Sequence, residues 1–200
     1  MKQYIIIIMA LAPILCSPVS PQQAPNDSTQ NKSEAKMKIT STAFKEGEFI
    51  PVKYTCDGPD VSPPLAFSDI PINTKSLALI CDDPDAPNGN WVHWIIYNFP
   101  VDVKNIPESV PHAVSAIVKI DGKEVALQHG KSSFGRYGYG GPCPPMGSAH
   151  HYYFKLYALN SQVNFTIEKV KSGITKRILL ENMKGHIIAE TSLMGKYQRK

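Results

Sequence analysis

The stretch Ser76–Phe99, SLALICDDPDAPNGNWVHWIIYNF, holds two apolar runs separated by a segment dense in turn formers. SLALIC (76–81) and WIIYNF (94–99) are almost unbroken in large apolar and β-branched residues. A short run of that kind, bounded by Pro, Gly, Asn and Asp, reads as a strand. Because the runs are continuous rather than alternating, the sequence predicts two strands covered on both faces. Between them lie Pro84, Pro87, Asn88, Gly89 and Asn90, a turn by composition.

Working outward, the same rhythm recurs. MKITSTAF (37–44), FIPVKYTC (49–56), LAFSDI (65–70), AVSAIVKI (113–120) and HYYFKLYAL (151–159) are short runs parted by turn residues. Many short strands with frequent turns predict a β-sandwich or a barrel. One helical pattern interrupts it. Phe165, Ile167, Val170, Ile174, Ile178, Leu179 and Met183 recur near a period of 3.6, with Asn164 as candidate N-cap and Gly185 as a stop. Gly173 lies inside that pattern and allows two short helices instead of one. HIIAETSLMGKY (186–197) then reads as a last strand.

The chain has 200 residues, 21 Lys and Arg against 17 Asp and Glu, and a formal net charge of +4. Those charges are spread along the sequence, which argues against a basic nucleic-acid-binding arm. Seventeen prolines and 13 glycines mark a turn-rich fold but fall short of a disordered or collagen-like composition. Residues 1–16 read as a signal peptide: Lys2 precedes the apolar stretch Tyr4–Leu15, which is too short to span a bilayer. The run ends at Cys16, so lipidation of that cysteine and simple cleavage near Ser17–Ser20 both stay open. Residues 17–36 are almost devoid of large apolar side chains and read as a flexible linker, leaving 37–200 as the folded domain. The expected location is outside the cytoplasm of a bacterium, periplasmic or held to the membrane by lipid.

Two segments carry more chemistry than turns and cores need. In CDDPDAPNGNWVHW (81–94), an extended chain puts Asp83 and Asp85 on one side, and two carboxylates that close need a compensating partner. His93 follows between Val92 and Trp94. In FGRYGYGGPCPPMGSAHHYYF (134–154), Gly138, Gly140 and Gly141 run into Pro142, Pro144 and Pro145. Glycine lets backbone approach a ligand and proline stiffens the wall. Strand alternation then places His150 and Tyr152 on one face, His151 and Tyr153 on the other. A rigid loop beside His and Tyr donors suits a small anion such as phosphate. The spacing of the histidines argues against a metal site, and there is no G-x-S-x-G elbow to supply a serine nucleophile.

Together the two segments resemble the paired signatures of the phosphatidylethanolamine-binding protein family, in its bacterial and archaeal, Raf-kinase-inhibitor-like branch. The first is Asp83–Pro87 with Trp91-Val92-His93-Trp94; the second is Gly141–Gly147 with His150-His151-Tyr152. YTCDG at 54–58, SPPL at 62–65 and GHIIAE at 185–190 extend the likeness over about 37–197. His151 departs from the pattern, since an arginine commonly follows the first histidine. The resemblance implies an all-β fold, a sandwich of two antiparallel sheets with a short helical element near the C-terminus. It implies a non-catalytic binding pocket for phosphate-type anions or phospholipid head groups, formed by Asp83, Asp85, His93, Gly141, Pro144, Pro145, His150 and Tyr152. The rings of His93 and His150 are expected to be cationic donors, with Asp83 or Asp85 orienting them and the backbone near Gly141 donating as well. The alternative is a hydrolase, or an inhibitor of a protease or other enzyme, using the same His and Asp residues. No cofactor and no nucleic-acid partner are expected, and membrane contact only through an anchor at Cys16. Cys56 and Cys143 both fall near this pocket in a chain bound for an oxidising compartment, and are expected to pair, leaving Cys81 as a buried apolar residue.

Overall fold

The computed structural model describes residues 36–200. The expected signal peptide, the expected linker up to Ala35, and Cys16 lie outside the described residues. Nine strands and two helices follow in the order β1 (Lys38–Thr40), β2 (Leu65–Ser68), β3 (Ser76–Asp83), β4 (Trp91–Phe99), β5 (Asn105–Ile106), β6 (Ser115–Ile120), β7 (Lys123–His129), β8 (His150–Leu159), α1 (Ile167–Ser172), α2 (Lys176–Met183) and β9 (Ile187–Tyr197). They form a three-stranded sheet, β1-β2-β5, and a six-stranded sheet, β6-β7-β4-β3-β8-β9. Every pairing between these strands is antiparallel. This is the two-sheet, mostly β architecture that the strand pattern predicts.

β3 shows why its sequence lacks alternation. All eight of its residues are buried. Leu77, Leu79 and Cys81 face the core between the two sheets, where they join Phe67, Phe99, Trp94 and Phe154. Ala78 and Ile80 face a second core, closed by Ile174, Leu179 and Met183 from the helical segment. A strand packed on both faces must be apolar throughout. The same two-sided packing separates the two acids at its end. Asp82 turns to the helical face, where Lys155 lies 2.9 Å away and Lys176 also reaches it. Asp83 stays on the sandwich face.

The helical segment is two short helices, and their caps differ from the sequence expectation. Thr166 caps α1 and Thr175 caps α2 through their side-chain oxygens, whereas Asn164 lies upstream of both. Gly173, at φ 94°, ends α1 in the left-handed region that glycine enters without strain. Threonine carries the same capping chemistry as asparagine, so Asn164, Thr166 and Thr175 are equivalent cap candidates by residue type.

Candidate functional site

The pairing of β3 with β4 slips by one residue near the acid-rich turn. Cys81 pairs with Trp94 and Asp82 with Val92, so His93 is the extra residue of a β-bulge. The bulge reverses the alternation: His93 and Trp94 now both turn toward the sandwich face. The Gly-rich segment docks on this bulge. Gly140 N–H donates to the His93 carbonyl at 3.0 Å, and His93 Nδ1–H donates back to the Gly140 carbonyl at 2.6 Å. A carbonyl can only accept, so this contact fixes the His93 tautomer and leaves Nε2 for a ligand.

Opposite β4, the inward face of β8 supplies His150 and Tyr152, both buried. His150 Nδ1–H donates to Asp83 Oδ2 at 2.8 Å, while Asp83 Oδ1 accepts the backbone N–H of Asp85, also at 2.8 Å. The carboxylate is held by its own turn and in turn holds the ring. Tyr152 Oη is buried and makes no well-formed hydrogen bond, although the Asp83 carboxylate lies within its influence. Burial, reinforced by the charge of Asp83, pushes its phenol pKa well above the ordinary value, so it remains a neutral donor.

These side chains floor a cleft of about 360 Å³ lined also by Ala86, Pro87, Asn88, Trp91, Phe134, Cys143, Pro144 and Pro145. Phe134 meets Trp91 edge-on at 5.5 Å and His93 at 5.4 Å, and His93 meets Tyr152 at 5.1 Å. The walls are thus aromatic and proline-rich, and the polar atoms converge at the floor.

The outer wall, Tyr139 to Pro145, is pinned from behind by the YTCDG stretch. Tyr139 Oη donates to the Tyr54 carbonyl at 2.8 Å, and Cys56 N–H donates to the Pro142 carbonyl at 3.1 Å. Cys56 and Cys143 are joined by a disulfide, with sulfurs 2.10 Å apart. Cys81 is free and buried.

A family model described as phosphatidylethanolamine-binding protein matches residues 40–198. The chain belongs to the phosphatidylethanolamine-binding protein family. Among its relatives is a UPF0098 protein of Pyrococcus horikoshii, 44% identical over 169 residues, covering 84% of this chain and 80% of the relative. A UPF0098 protein of Methanothermobacter thermautotrophicus is 44% identical over 163 residues, covering 82% of this chain and 99% of the relative. A solved phosphatidylethanolamine-binding protein homologue from Chlamydia trachomatis superposes with TM-score 0.69 at 42% identity, covering 82% and 99% of the two chains. The structure of E. coli YbcL, at 29% identity, gives TM-score 0.68 and covers 83% and 100%.

Within this family member, the structure brings Asp83, His93, Pro144, Pro145, His150 and Tyr152 to one cleft and leaves two of the expected residues elsewhere. Asp85 sits in the turn after β3 and does not line the cleft. It accepts from His151 Nδ1–H at 2.7 Å and from His151 N–H at 2.9 Å, and the His151 side chain holds its carboxyl below the usual range. The two aspartates therefore do not share a site: each takes one of the two consecutive histidines. Gly141 offers no donor to the cleft, because its N–H is given to Asp60 Oδ1 at 2.6 Å. A Cβ there would lie 2.4 Å from the Tyr54 carbonyl oxygen, so the glycine serves close packing behind the wall.

His93 differs in charge. Burial pushes its pKa below the ordinary 6.5, with the Gly140 carbonyl and Asp83 only partly opposing. Burial thus favours the neutral form of the ring, against the cationic donor that the resemblance implies. Trp91 and Phe134 join the cleft beyond the residues the resemblance implies, and aromatics beside a Gly/Pro loop are the signal in the sequence for such a ligand wall. Among the described residues, no three His, Cys, Asp or Glu side chains are grouped to hold a metal ion.

Proposed function

We propose that this protein is an exported, non-catalytic binding protein whose cleft holds a small phosphate-type anion or a phospholipid head group. The observation that carries this reading is the cleft floor. Tyr152 Oη is buried there without a well-formed hydrogen bond, beside two imidazoles fixed through Nδ1 by Gly140 and Asp83. A buried hydroxyl left unsatisfied costs about 1–3 kcal/mol, and a bound oxyanion would recover it. The dimensions suit a head group and the walls suit its glycerol carbons.

The residues lining the cleft also support a binder rather than a hydrolase. They include no serine or threonine, and the one cysteine among them, Cys143, is tied up in a disulfide. Export is supported by the Lys2 and Tyr4–Leu15 pattern and by a disulfide of the kind that persists in oxidising compartments.

Calorimetric titration with inorganic phosphate and O-phosphorylethanolamine tests the reading. His150→Ala should weaken binding at least about tenfold, the loss of one charge-assisted or strongly oriented hydrogen bond. Equal affinities in the two proteins would place the ligand elsewhere. Turnover of phosphate esters that survives in the purified wild type and vanishes in His150→Ala would make the protein an enzyme.

A further inference from the structure

The cleft is an unusual host for a highly charged anion. No lysine or arginine lines it, and a carboxylate stands in its floor. Arg136, which lies over the ring of the wall residue Phe134 at 5.3 Å, is already matched: it bonds Asp60 at 3.1 Å. The inventory of floor atoms leans toward acceptors. His93 spends Nδ1–H on Gly140 at 2.6 Å, and with burial favouring the neutral ring its Nε2 offers a lone pair. Asp83 has used one lone pair of each oxygen on Asp85 and His150. Tyr152 Oη is the fixed neutral donor, and the amide of Asn88 can serve at the rim.

A doubly charged oxyanion entering this site meets an acceptor lone pair at His93 and a His150–Asp83 pair that carries no net positive charge whichever partner holds the proton, so little offsets its lost hydration. A singly protonated phosphoryl group lessens each of these mismatches. Its P–O–H donates to an acceptor of the floor, its remaining oxygens accept from Tyr152 and its total charge is halved. Resting on the phosphate-binding reading above, we infer that the cleft takes its phosphoryl ligand as the protonated monoanion. The ligand's proton selects it over oxyanions that carry none.

The other charges around the floor add no net positive charge to it. β3 presents Asp83, β4 presents His93, and β8 presents His150 and Tyr152. Asp85 and His151 are bound to each other beside the cleft, and Asp60 stands with Arg136 behind Gly141. Tyr139 and Cys81 lie deeper, and burial keeps both protonated. Asp82 and its two lysines, Lys155 and Lys176, are on the opposite face of the sheet.

The proton needs no co-reactant. Where solution pH leaves the ligand as its dianion, one proton is taken from the buffer on binding and one P–O–H bond forms. Phosphomonoesters lose their second proton near pH 6, so at about pH 8 uptake should approach one proton per site. Titration of the wild-type protein with O-phosphorylethanolamine, in two buffers of different ionisation enthalpy, reads this number directly. Sulfate, a permanent dianion of similar shape, should bind at least about tenfold more weakly than phosphate. Asp83→Asn replaces an acceptor by a donor and should narrow that gap.

Phosphate binding without proton uptake, or sulfate bound as tightly as phosphate, overturns this inference and leaves the binding function standing. Failure of the wild type to bind either phosphate compound overturns both. The wild-type measurements decide the matter even if Asp83→Asn does not fold.

Discussion

Removing the Cys56–Cys143 disulfide is the perturbation whose magnitude follows most directly from the structure. The bridge closes a loop with a sequence separation of 87 residues. On the chain-entropy model, releasing a loop of that length returns about 15 cal/mol/K to the unfolded chain, or about 4.6 kcal/mol at room temperature. For a domain of this size each kcal/mol moves Tm by about 2–4 °C, so the expected fall is roughly 9–18 °C. The double variant Cys56→Ser, Cys143→Ser is the right comparison, because a single change leaves a lone thiol at an exposed wall. The folded state should lose little enthalpy. Tyr139 to Tyr54, Gly141 to Asp60 and Cys56 N–H to Pro142 are hydrogen bonds that survive the substitution. Differential scanning calorimetry of the oxidised wild type and the double variant measures the shift, with non-reduced peptide mapping to confirm the bridge. A fall of less than about 3 °C, with the bridge confirmed intact in the wild type, would refute the reasoning, since chain entropy would then not be its main contribution.

Two further outcomes are expected. Gly141→Ala should destabilise the protein by more than about 2 kcal/mol, because backbone must move to admit the methyl group. Its Cβ would stand 2.4 Å from the Tyr54 carbonyl oxygen and 2.6 Å from Asp60 Oδ1, so an unchanged Tm would mean that the wall does not rest on that segment. Stability should also fall on mild acidification. Burial lowers the folded-state pKa of His93 and of His129 below the 6.5 of the free side chain, so just below that pH the unfolded chain binds more protons. Folding stability is therefore full above pH 6.5 and declines as pH drops through that value toward the folded-state pKa values. Thermal scans of wild type and of His93→Gln, His129→Gln should show a shallower decline in the double variant; parallel declines would assign the protons elsewhere.

Features set by near neighbours are legible in the chain itself. The two-sided burial of β3 is visible in SLALIC, because a strand with two cores has no polar face to show. The common face of His150 and Tyr152 follows from strand alternation, and it holds because β8 runs through that stretch without a bulge. The break at Gly173 is likewise local, as only glycine enters that backbone region freely. The resemblance carried by the two signatures reached the family and most of the cleft. What the tertiary structure alone decided depends on register and on partners far along the chain. Alternation alone puts His93 opposite Trp94, and only the slip against β3 turns both the same way. The Gly141 amide looks available to a ligand until Asp60, 81 residues earlier, is found to hold it. Asp83 and Asp85 look like one acidic pair, yet a turn divides them between His150 and His151. The lowered pKa of His93 comes from burial, a property of the packed whole that residue type and spacing do not encode.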